Sequence, residues 1–230
     1  MSAEVNSSVK VGGATLVIER IVKRFGSRTL IDLAGCTFAS GELHLLVGDN
    51  GVGKTTLMKI LSGLEVADEF AFALNGRAVR GNRYPDTLRR EIVYVHQHPY
   101  LFSTSVAANI AYGLRQRAIV GDVRDKAVAE AIQWAGLDAV RDVAPKRLSG
   151  GEKQRVALAR ALVLKAPVML IDEPTANLDA NARDQVKSLL GELRAEGRIV
   201  IIATHDPALT KLAGATVWNM AGGRIVRGGP

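Results

Sequence analysis

The stretch GDNGVGKTT, residues 48–56, stands between the apolar run LHLLV at 43–47 and the helix-periodic stretch TLMKILSGL at 56–64. An apolar run of this length is typical of a strand buried on both faces of a parallel sheet, and the spacing after it predicts a helix. The stretch fits the pattern G-x-x-x-x-G-K-[ST] in the strand-to-helix context that this pattern requires. It therefore predicts a loop that binds the phosphates of a nucleotide.

Each residue type in this loop has a chemical reason for its position. Glycines let the backbone N–H groups point at the phosphates, and the helix that follows adds the positive end of its dipole. Lys54 can place its charge on the β- and γ-phosphates of ATP, and the Thr55 hydroxyl can bind Mg²⁺. A glycine-rich turn without a ligand is the structural alternative. The predicted phosphate-loop contacts are Gly48, Asn50, Gly51, Gly53, Lys54, Thr55 and Thr56.

A second apolar run, VMLIDEP at 168–174, ends in two neighbouring carboxylates. Adjacent residues at the end of a strand point in different directions, so the two acids need not share a role. Asp172 is suited to hold Mg²⁺, directly or through water. Glu173 is suited to orient or deprotonate an attacking water. An acidic pair at a helix start before Pro174 is the alternative.

The composition of the chain excludes several classes of protein. With 47% hydrophobic and 23% charged residues among 230, it is not disordered over most of its length. The net charge of +7 favours anionic partners without choosing among nucleotides, nucleic acid and acidic lipids. A single cysteine, Cys36, excludes a disulfide framework. The absence of a signal peptide or a long apolar run predicts a cytoplasmic protein.

Strands that alternate with helices predict an α/β fold with a mainly parallel sheet. Residues 1–12 are predicted to be a flexible tail, and residues 13–230 a single domain. ATLVIER at 14–20 is predicted to be a strand at a sheet edge, and Asn75-Gly76 between two apolar runs predicts a hairpin. The stretch from about 101 to 150 is helical in pattern, which predicts an inserted helical subdomain.

The string LSGGEKQR at 148–155 precedes a further helical stretch. Ser149 and Glu152 form an S-x-x-E capping box, so an ordinary helix start is one interpretation. The same N–H groups could also meet a phosphate. The string, its place before VALARAL and its position upstream of VMLIDEP together resemble ATP-binding cassette (ABC) ATPases, from Ile18 to about Val226. The resemblance implies a P-loop NTPase core with an antiparallel β edge subdomain and a helical subdomain.

The resemblance also implies roles for residues that stand alone in the sequence. Phe25 would stack on adenine, although a loop anchor is an alternative. Gln97 would sense Mg²⁺ and water, which makes it a metal-site residue with Thr55 and Asp172. Within ANLD at 176–179, Asp179 would cross to a partner subunit. His205 would contact the γ-phosphate, with a satisfied strand-end histidine as the alternative. The predicted catalytic set is Lys54, Gln97, Glu173 and His205.

In the family that the chain resembles, the signature residues Ser149, Gly150 and Gly151 cover the ATP of the opposite subunit. One phosphate loop and one signature therefore imply two chains arranged head to tail. The resemblance further implies an importer cassette on the inner face of the membrane. It would dock onto permease subunits through residues 98–115, with a solute-binding protein as a further partner and tungstate, molybdate or another oxyanion as cargo. A non-transport ABC ATPase acting on nucleic acid or ribosomes is the alternative, but no nucleic acid is expected.

Overall fold

A computed structural model describes residues 13–81 and 84–228, so the predicted tail at 1–12 lies outside the described residues. The described part of the chain forms two sheets and a set of α-helices. In chain order the elements are β1 (Thr15–Phe25), β2 (Arg28–Ala39), β3 (Leu43–Val47), α1 (Lys54–Leu61), β4 (Glu69–Leu74), β5 (Arg77–Arg80), β6 (Ile92–Val95), α2 (Val106–Gln116), α3 (Gly121–Trp134), α4 (Gly150–Leu162), β7 (Val168–Asp172), α5 (Ala180–Ala195), β8 (Ile199–Ala203), β9 (Ala215–Ala221) and β10 (Arg224–Arg227).

The larger sheet has the strand order β10-β9-β3-β8-β7-β6. The neighbours from β9 to β6 run parallel, and only the β9–β10 hairpin is antiparallel. This confirms the α/β fold with a mainly parallel sheet. Because β3, β7 and β8 run in one direction, the loops that follow them meet at the same edge of the sheet.

Helices cover both faces of this sheet, which explains the continuous apolar runs in its strands. Every residue of β7 and β8 is buried. Helix α1 packs into the hydrophobic cluster on one face, and α4 and α5 pack into the cluster on the other. A strand covered on both sides has no solvent-facing position, so its sequence does not alternate.

The smaller sheet is antiparallel, with the strand order β2-β1-β4-β5. The prediction of an edge strand at 14–20 is wrong, because β1 lies between β2 and β4 and pairs with both. Strand β1 also extends to Phe25. The hairpin predicted at Asn75-Gly76 is present: these two residues have φ values of 52° and 75° and connect β4 to β5.

Helices α2 and α3 fill the chain between β6 and α4. They share a hydrophobic cluster with one face of α4, in which Ile110, Ile132 and Val156 are buried. The opposite face of α4 packs against the sheet through Ala157 and Leu158. Helix α4 therefore connects the helical part to the sheet. None of the described helices has the length and apolar character that crossing a bilayer requires.

Candidate functional site

The loop between β3 and α1 can form only because three of its positions are glycine. Gly48, Gly51 and Gly53 have φ values of 152°, 79° and 112°, a region that favours glycine. A Cβ on Gly48 would lie 2.3 Å from the carbonyl oxygen of Met220, so a larger residue is excluded there. Gly53 is the N-cap of α1 and supplies no side-chain cap. The first N–H groups of α1 are therefore left for another acceptor.

The Lys54 side chain folds back onto this loop. Its Nζ donates to the carbonyl oxygens of Gly48 at 2.6 Å and Asp49 at 3.0 Å, and the residue is 6% exposed. Both acceptors are neutral, so the ammonium group has no carboxylate partner among its hydrogen bonds. A phosphate in the loop would offer it a stronger, charge-assisted interaction.

Asp172 ends β7 in a buried position with 2% exposure. Its Oδ2 accepts one hydrogen bond from the Thr55 hydroxyl and another from the Tyr94 hydroxyl, each at 2.8 Å. Its Oδ1 is buried and has no hydrogen-bond partner among the described residues. A buried carboxylate oxygen without a partner is costly. The arrangement therefore leaves Oδ1 ready for a further ligand.

The sequence analysis did not identify Tyr94. Burial, followed by the charge of Asp172, raises the pKa of Tyr94, so its hydroxyl keeps its proton and remains a donor. A phenol in the strand IVYV, which is otherwise aliphatic, was the available signal, since a buried tyrosine hydroxyl usually finds a polar partner.

The residues around Asp172 fit a magnesium ion. Mg²⁺ prefers hard oxygen ligands, and this region supplies a carboxylate oxygen without a partner, the Thr55 hydroxyl and the side-chain amide of Gln97. Thr55 and Gln97 also line the same cleft as Asp172. The three predicted metal-site residues are thus brought together.

Glu173 has partners different from those of its neighbour. Its Oε1 lies 2.8 Å from His205 Nδ1, and its Oε2 accepts a hydrogen bond from the His205 backbone N–H at 3.3 Å. Its own N–H donates to Ala203 at the end of β8. The Glu173 side chain is 9% exposed and that of His205 is 61% exposed. The pair therefore connects the ends of β7 and β8.

A cleft of about 470 Å³ gathers most of the predicted site. It also includes Leu30, which the sequence analysis did not select. The predicted residues that line it are Asn50, Gly51, Gly53, Lys54, Thr55, Thr56, Gln97, Asp172, Glu173 and His205. The predicted residues outside its lining are Phe25, Gly48, Ser149, Gly150, Gly151 and Asp179.

Phe25 ends β1 with 54% exposure, and the Nζ of Lys23 lies 4.7 Å from its ring centroid. Asp179 is the N-cap of α5 and accepts from the Ala182 N–H at 2.8 Å. An N-cap role for Asp179 is thus present beside the role that the family resemblance implies.

The signature residues form the start of α4. Ser149 is the N-cap, its Oγ accepts from the Glu152 N–H at 3.2 Å, and Glu152 Oε2 accepts from the Ser149 N–H at 2.8 Å. Hydrogen bonds from Ser149 lower the pKa of Glu152. Gly150 is exposed, whereas Gly151 packs so closely on α5 that an added Cβ would lie 2.5 Å from the Cβ of Ala182.

A second cleft of about 500 Å³, here named the groove, lies between β6 and helices α2 and α4. It is rich in aromatic residues and contains four arginines but no acidic residue. Burial lowers the pKa of both Arg117 and Arg160. The Leu101 side chain packs instead into the cluster of α2 and α3. The residues that line the groove are Arg89, Arg90, Val93, Tyr94, Val95, His96, Pro99, Tyr100, Phe102, Tyr112, Gly113, Gln116, Arg117, Ala157, Arg160, Ala161 and Leu164.

Comparison with known proteins defines the class. A family model described as ABC transporter matches residues 32–176. In structure, the chain is similar to cbiO1 from Clostridium perfringens, part of the ABC transporter complex cbiONQ, with a TM-score of 0.83, 30% identity and coverage of 94% of this chain and 89% of that one. It is also similar to a dimeric ATP-binding cassette in a post-hydrolysis state bound to ADP and Pi. The TM-score is 0.80 and the identity 26%, and the match covers 92% of this chain and 97% of that one. The chain belongs to the ABC transporter family and is an ATPase cassette of that family.

Within the family, the chain resembles import proteins. It is 36% identical over 212 residues to the Fe(3+) ions import ATP-binding protein FbpC of Escherichia coli O157:H7, covering 91% of this chain and 60% of that protein. It is 36% identical over 215 residues to the probable sulfate/thiosulfate import ATP-binding protein CysA of Chlorella vulgaris, covering 93% of this chain and 90% of that protein. The chain thus spans 60% of the length of the iron import relative.

Proposed function

We propose that this chain is the ATP-hydrolysing subunit of an ABC importer. The observation that carries the proposal is the composition of the 470 Å³ cleft, which combines the phosphate loop, a buried acid with a free oxygen, and the Glu173–His205 pair. A cleft with these groups is suited to bind a nucleoside triphosphate and to activate a water molecule for attack on its γ-phosphate.

ATP binding would use the loop and the start of α1. The free N–H groups there meet the phosphates, and Lys54 moves its ammonium from the loop carbonyls to the β- and γ-phosphates. Thr55, Asp172 and Gln97 would hold Mg²⁺, which when bound neutralises charge on the phosphate oxygens. Phe25, exposed at the end of β1, would stack on the adenine.

Hydrolysis would use the Glu173–His205 pair. Glu173 orients a water molecule and accepts its proton as the water oxygen forms a bond to the γ-phosphorus. The bond between that phosphorus and the bridging oxygen breaks, which gives ADP and phosphate. His205 is exposed on the cleft side of Glu173 and would donate a hydrogen bond to the γ-phosphate.

The complete site would require two chains. Ser149 and Gly150 are exposed at the start of α4, outside the cleft lining of their own chain. In a head-to-tail pair they would cover the γ-phosphate of the partner's ATP together with Gly151, and the Asp179 loop would reach across the interface. ATP would favour the closed pair because only there are all of these contacts made.

The closing of this pair with ATP and its opening after hydrolysis would drive import through separate permease subunits, which would dock in the groove. The protein would then work in the cytoplasm at the inner face of the membrane, with a solute-binding protein delivering the cargo. Relatives named for Fe(3+) and for sulfate/thiosulfate support an importer, and an oxyanion cargo stays a prediction. Because these relatives are named as import proteins, they favour an importer over an ATPase that acts on nucleic acid or ribosomes.

Replacement of the proposed base tests this function. We expect Glu173→Gln to keep ATP binding, to lower ATP hydrolysis by roughly a hundredfold or more, and to accumulate dimers with ATP. Light scattering with and without ATP, beside a phosphate-release assay, measures both effects. Glu192→Gln on α5 is the matched control, because it makes the same change of charge at an exposed residue. Normal hydrolysis by Glu173→Gln would contradict the assignment of the base.

A further inference from the structure

Among the described residues, Tyr94 is the one side chain that donates a hydrogen bond to Asp172 and also lines the groove. It lies in β6, the edge strand of the parallel sheet, and pairs with Leu170 of β7, two residues before Asp172. Its hydroxyl donates to Asp172 Oδ2 at 2.8 Å. One residue thus joins the proposed docking surface to the candidate metal site.

The hydroxyl of Tyr94 has a particular place among the partners of Asp172. Thr55 and Tyr94 both donate to Oδ2, from α1 and β6 respectively. Thr55 is itself in the candidate metal set, so its oxygen serves two partners once a metal is bound. Tyr94 is the donor outside that set. It can therefore hold the carboxylate in one orientation, with Oδ1 left for the metal, whether or not the nucleotide is present.

The residues after Tyr94 also divide between the two cavities. His96 contacts the Tyr94 ring edge-on, with 4.4 Å between ring centroids, and lines the groove. Gln97 lines the nucleotide cleft. A segment that enters the groove would therefore press on the same short strand end that supplies a metal-site amide and the partner of Asp172.

We propose that Tyr94 is a positioning residue: its hydroxyl orients the Asp172 carboxylate for magnesium nucleotide, and its ring transmits the state of the groove to that carboxylate. The inference rests on the proposed function, because it needs magnesium nucleotide in the cleft. By linkage, an effect of the groove on the cleft requires an equal effect of the cleft on the groove. The protein without its membrane partner can therefore test it.

The first experiment measures the affinity for magnesium. In a Glu173→Gln background, ATP with increasing Mg²⁺ raises the melting temperature, and the Mg²⁺ concentration for half of that rise is read. We expect Tyr94→Phe, which removes only the hydroxyl, to need roughly ten- to a hundredfold more Mg²⁺, the value of a hydrogen bond to a charged group. The rise in melting temperature with ATP and EDTA, which reports binding without magnesium, should be the same in Tyr94→Phe as in the background. A magnesium requirement equal to that of the background would overturn the positioning role.

Tyr112→Phe is the matched control. Tyr112 lines the same groove, is 40% exposed, and has no hydrogen bond from its hydroxyl to another described residue. It should keep the magnesium requirement of the background. Urea unfolding without nucleotide detects a loss of stability, and hydrogen exchange in β8 shows whether the sheet is native. The magnesium requirement is compared only among variants whose exchange in β8 is native, so a folding defect is not mistaken for the expected effect.

The second experiment measures the groove. Hydrogen exchange of peptides covering 96–104 is compared with and without magnesium ATP. We expect the nucleotide to change exchange there in the background protein and in Tyr112→Phe, and the change to fall by roughly half or more in Tyr94→Phe. An equal change in all three would overturn the link to the groove. No effect of magnesium ATP on the melting temperature of any protein would overturn the proposed function itself, and the inference with it.

Discussion

At the residue scale, His44 shows how a buried polar side chain supports the phosphate loop. His44 lies in β3 with 1% exposure, its Nε2 donates to Ala39 O at 2.8 Å, and its Nδ1 accepts from Trp218 Nε1 at 3.2 Å. These two bonds require the neutral ring. Trp218 lies two residues before Met220, whose carbonyl oxygen occupies the space that a Cβ on Gly48 would need. The pair thus fixes β3 against β9 beside the loop.

His44 makes the stability of the fold dependent on pH. Burial lowers the pKa of His44 from its ordinary 6.5, although the Ala39 carbonyl and Glu42 oppose this shift. The unfolded chain then takes up a proton as the pH falls through 6.5, whereas the folded chain does so only at lower pH. We expect the free energy of unfolding, measured with urea, to fall from pH 7.5 towards pH 5, and to fall less in His44→Gln, which cannot take up that proton.

The control for this prediction is His98→Gln, because His98 is exposed. This variant should show the same loss of stability towards pH 5 as the parent protein. If His44→Gln lost stability with the same slope as the parent, the neutral buried histidine would not be the cause.

Glu173 shows which part of the site the sequence could not supply. The run VMLIDEP predicted an acid at the end of a strand, and Glu173 is there. Its backbone has a φ of 44°, which is strained for a residue other than glycine. The contacts to Ala203 and His205 hold it in that conformation. Ala203 is the last residue of β8 and His205 follows that strand, and a local pattern carries no information about a contact between two strand ends.

At the element scale, the start of α4 has one structural and one proposed functional role. The capping box between Ser149 and Glu152 satisfies N–H groups of α4 that would otherwise lack partners. The proposed contact with the partner's ATP uses the Ser149 hydroxyl and the exposed end of the helix. The two roles make different demands, since a cap needs only an acceptor oxygen of suitable reach.

Two substitutions of Ser149 separate these roles. We expect Ser149→Ala to lower the free energy of unfolding by about 1 kcal/mol and Ser149→Asn to lower it by only a few tenths, because Asn is a good N-cap. Both variants lack the hydroxyl, so both should lose ATP-dependent dimer formation in the Glu173→Gln background. Urea unfolding and light scattering measure the two effects. Dimers formed normally by Ser149→Asn would show that the hydroxyl has no part in the contact.

The success of the sequence analysis at this scale differs between the two sheets. The apolar runs at 43–47 and 168–172 predicted β3 and β7, because a strand that is covered on both faces is apolar along its whole length. The wrong position of β1 has the opposite cause. Alternation reports which faces of a strand are buried, but an interior and an edge strand differ in hydrogen-bond neighbours, and β4 is supplied by chain more than 40 residues away.

At the scale of the whole molecule, the parallel sheet collects groups that are far apart in the chain. The loop at 48–53 follows β3, Asp172 and Glu173 stand at the end of β7, and His205 follows β8. Part of that loop lines one cleft with the two acids and the histidine, at the carboxyl edge of the sheet. The signature residues are absent from that lining. Gly151 is instead fixed against Ala182 of α5. A symmetric pair of chains can bring the nucleotide cleft of each chain against the signature residues of the other, so that two complete sites form.

Mixing two inactive variants tests this arrangement. Lys54→Ala loses the phosphate lysine but keeps the signature, and Ser149→Asn keeps the lysine but loses the signature hydroxyl. In a mixed head-to-tail pair, the intact loop of one chain meets the intact signature of the other. Random pairing makes half of the dimers mixed, each with one complete site, so we expect about a quarter of the parent's ATP hydrolysis from an equal mixture. The double variant Lys54→Ala/Ser149→Asn mixed with Lys54→Ala should stay inactive, since no pair then contains an intact lysine. A mixture of the single variants no more active than either alone would mean that the two halves of the site do not come from different chains.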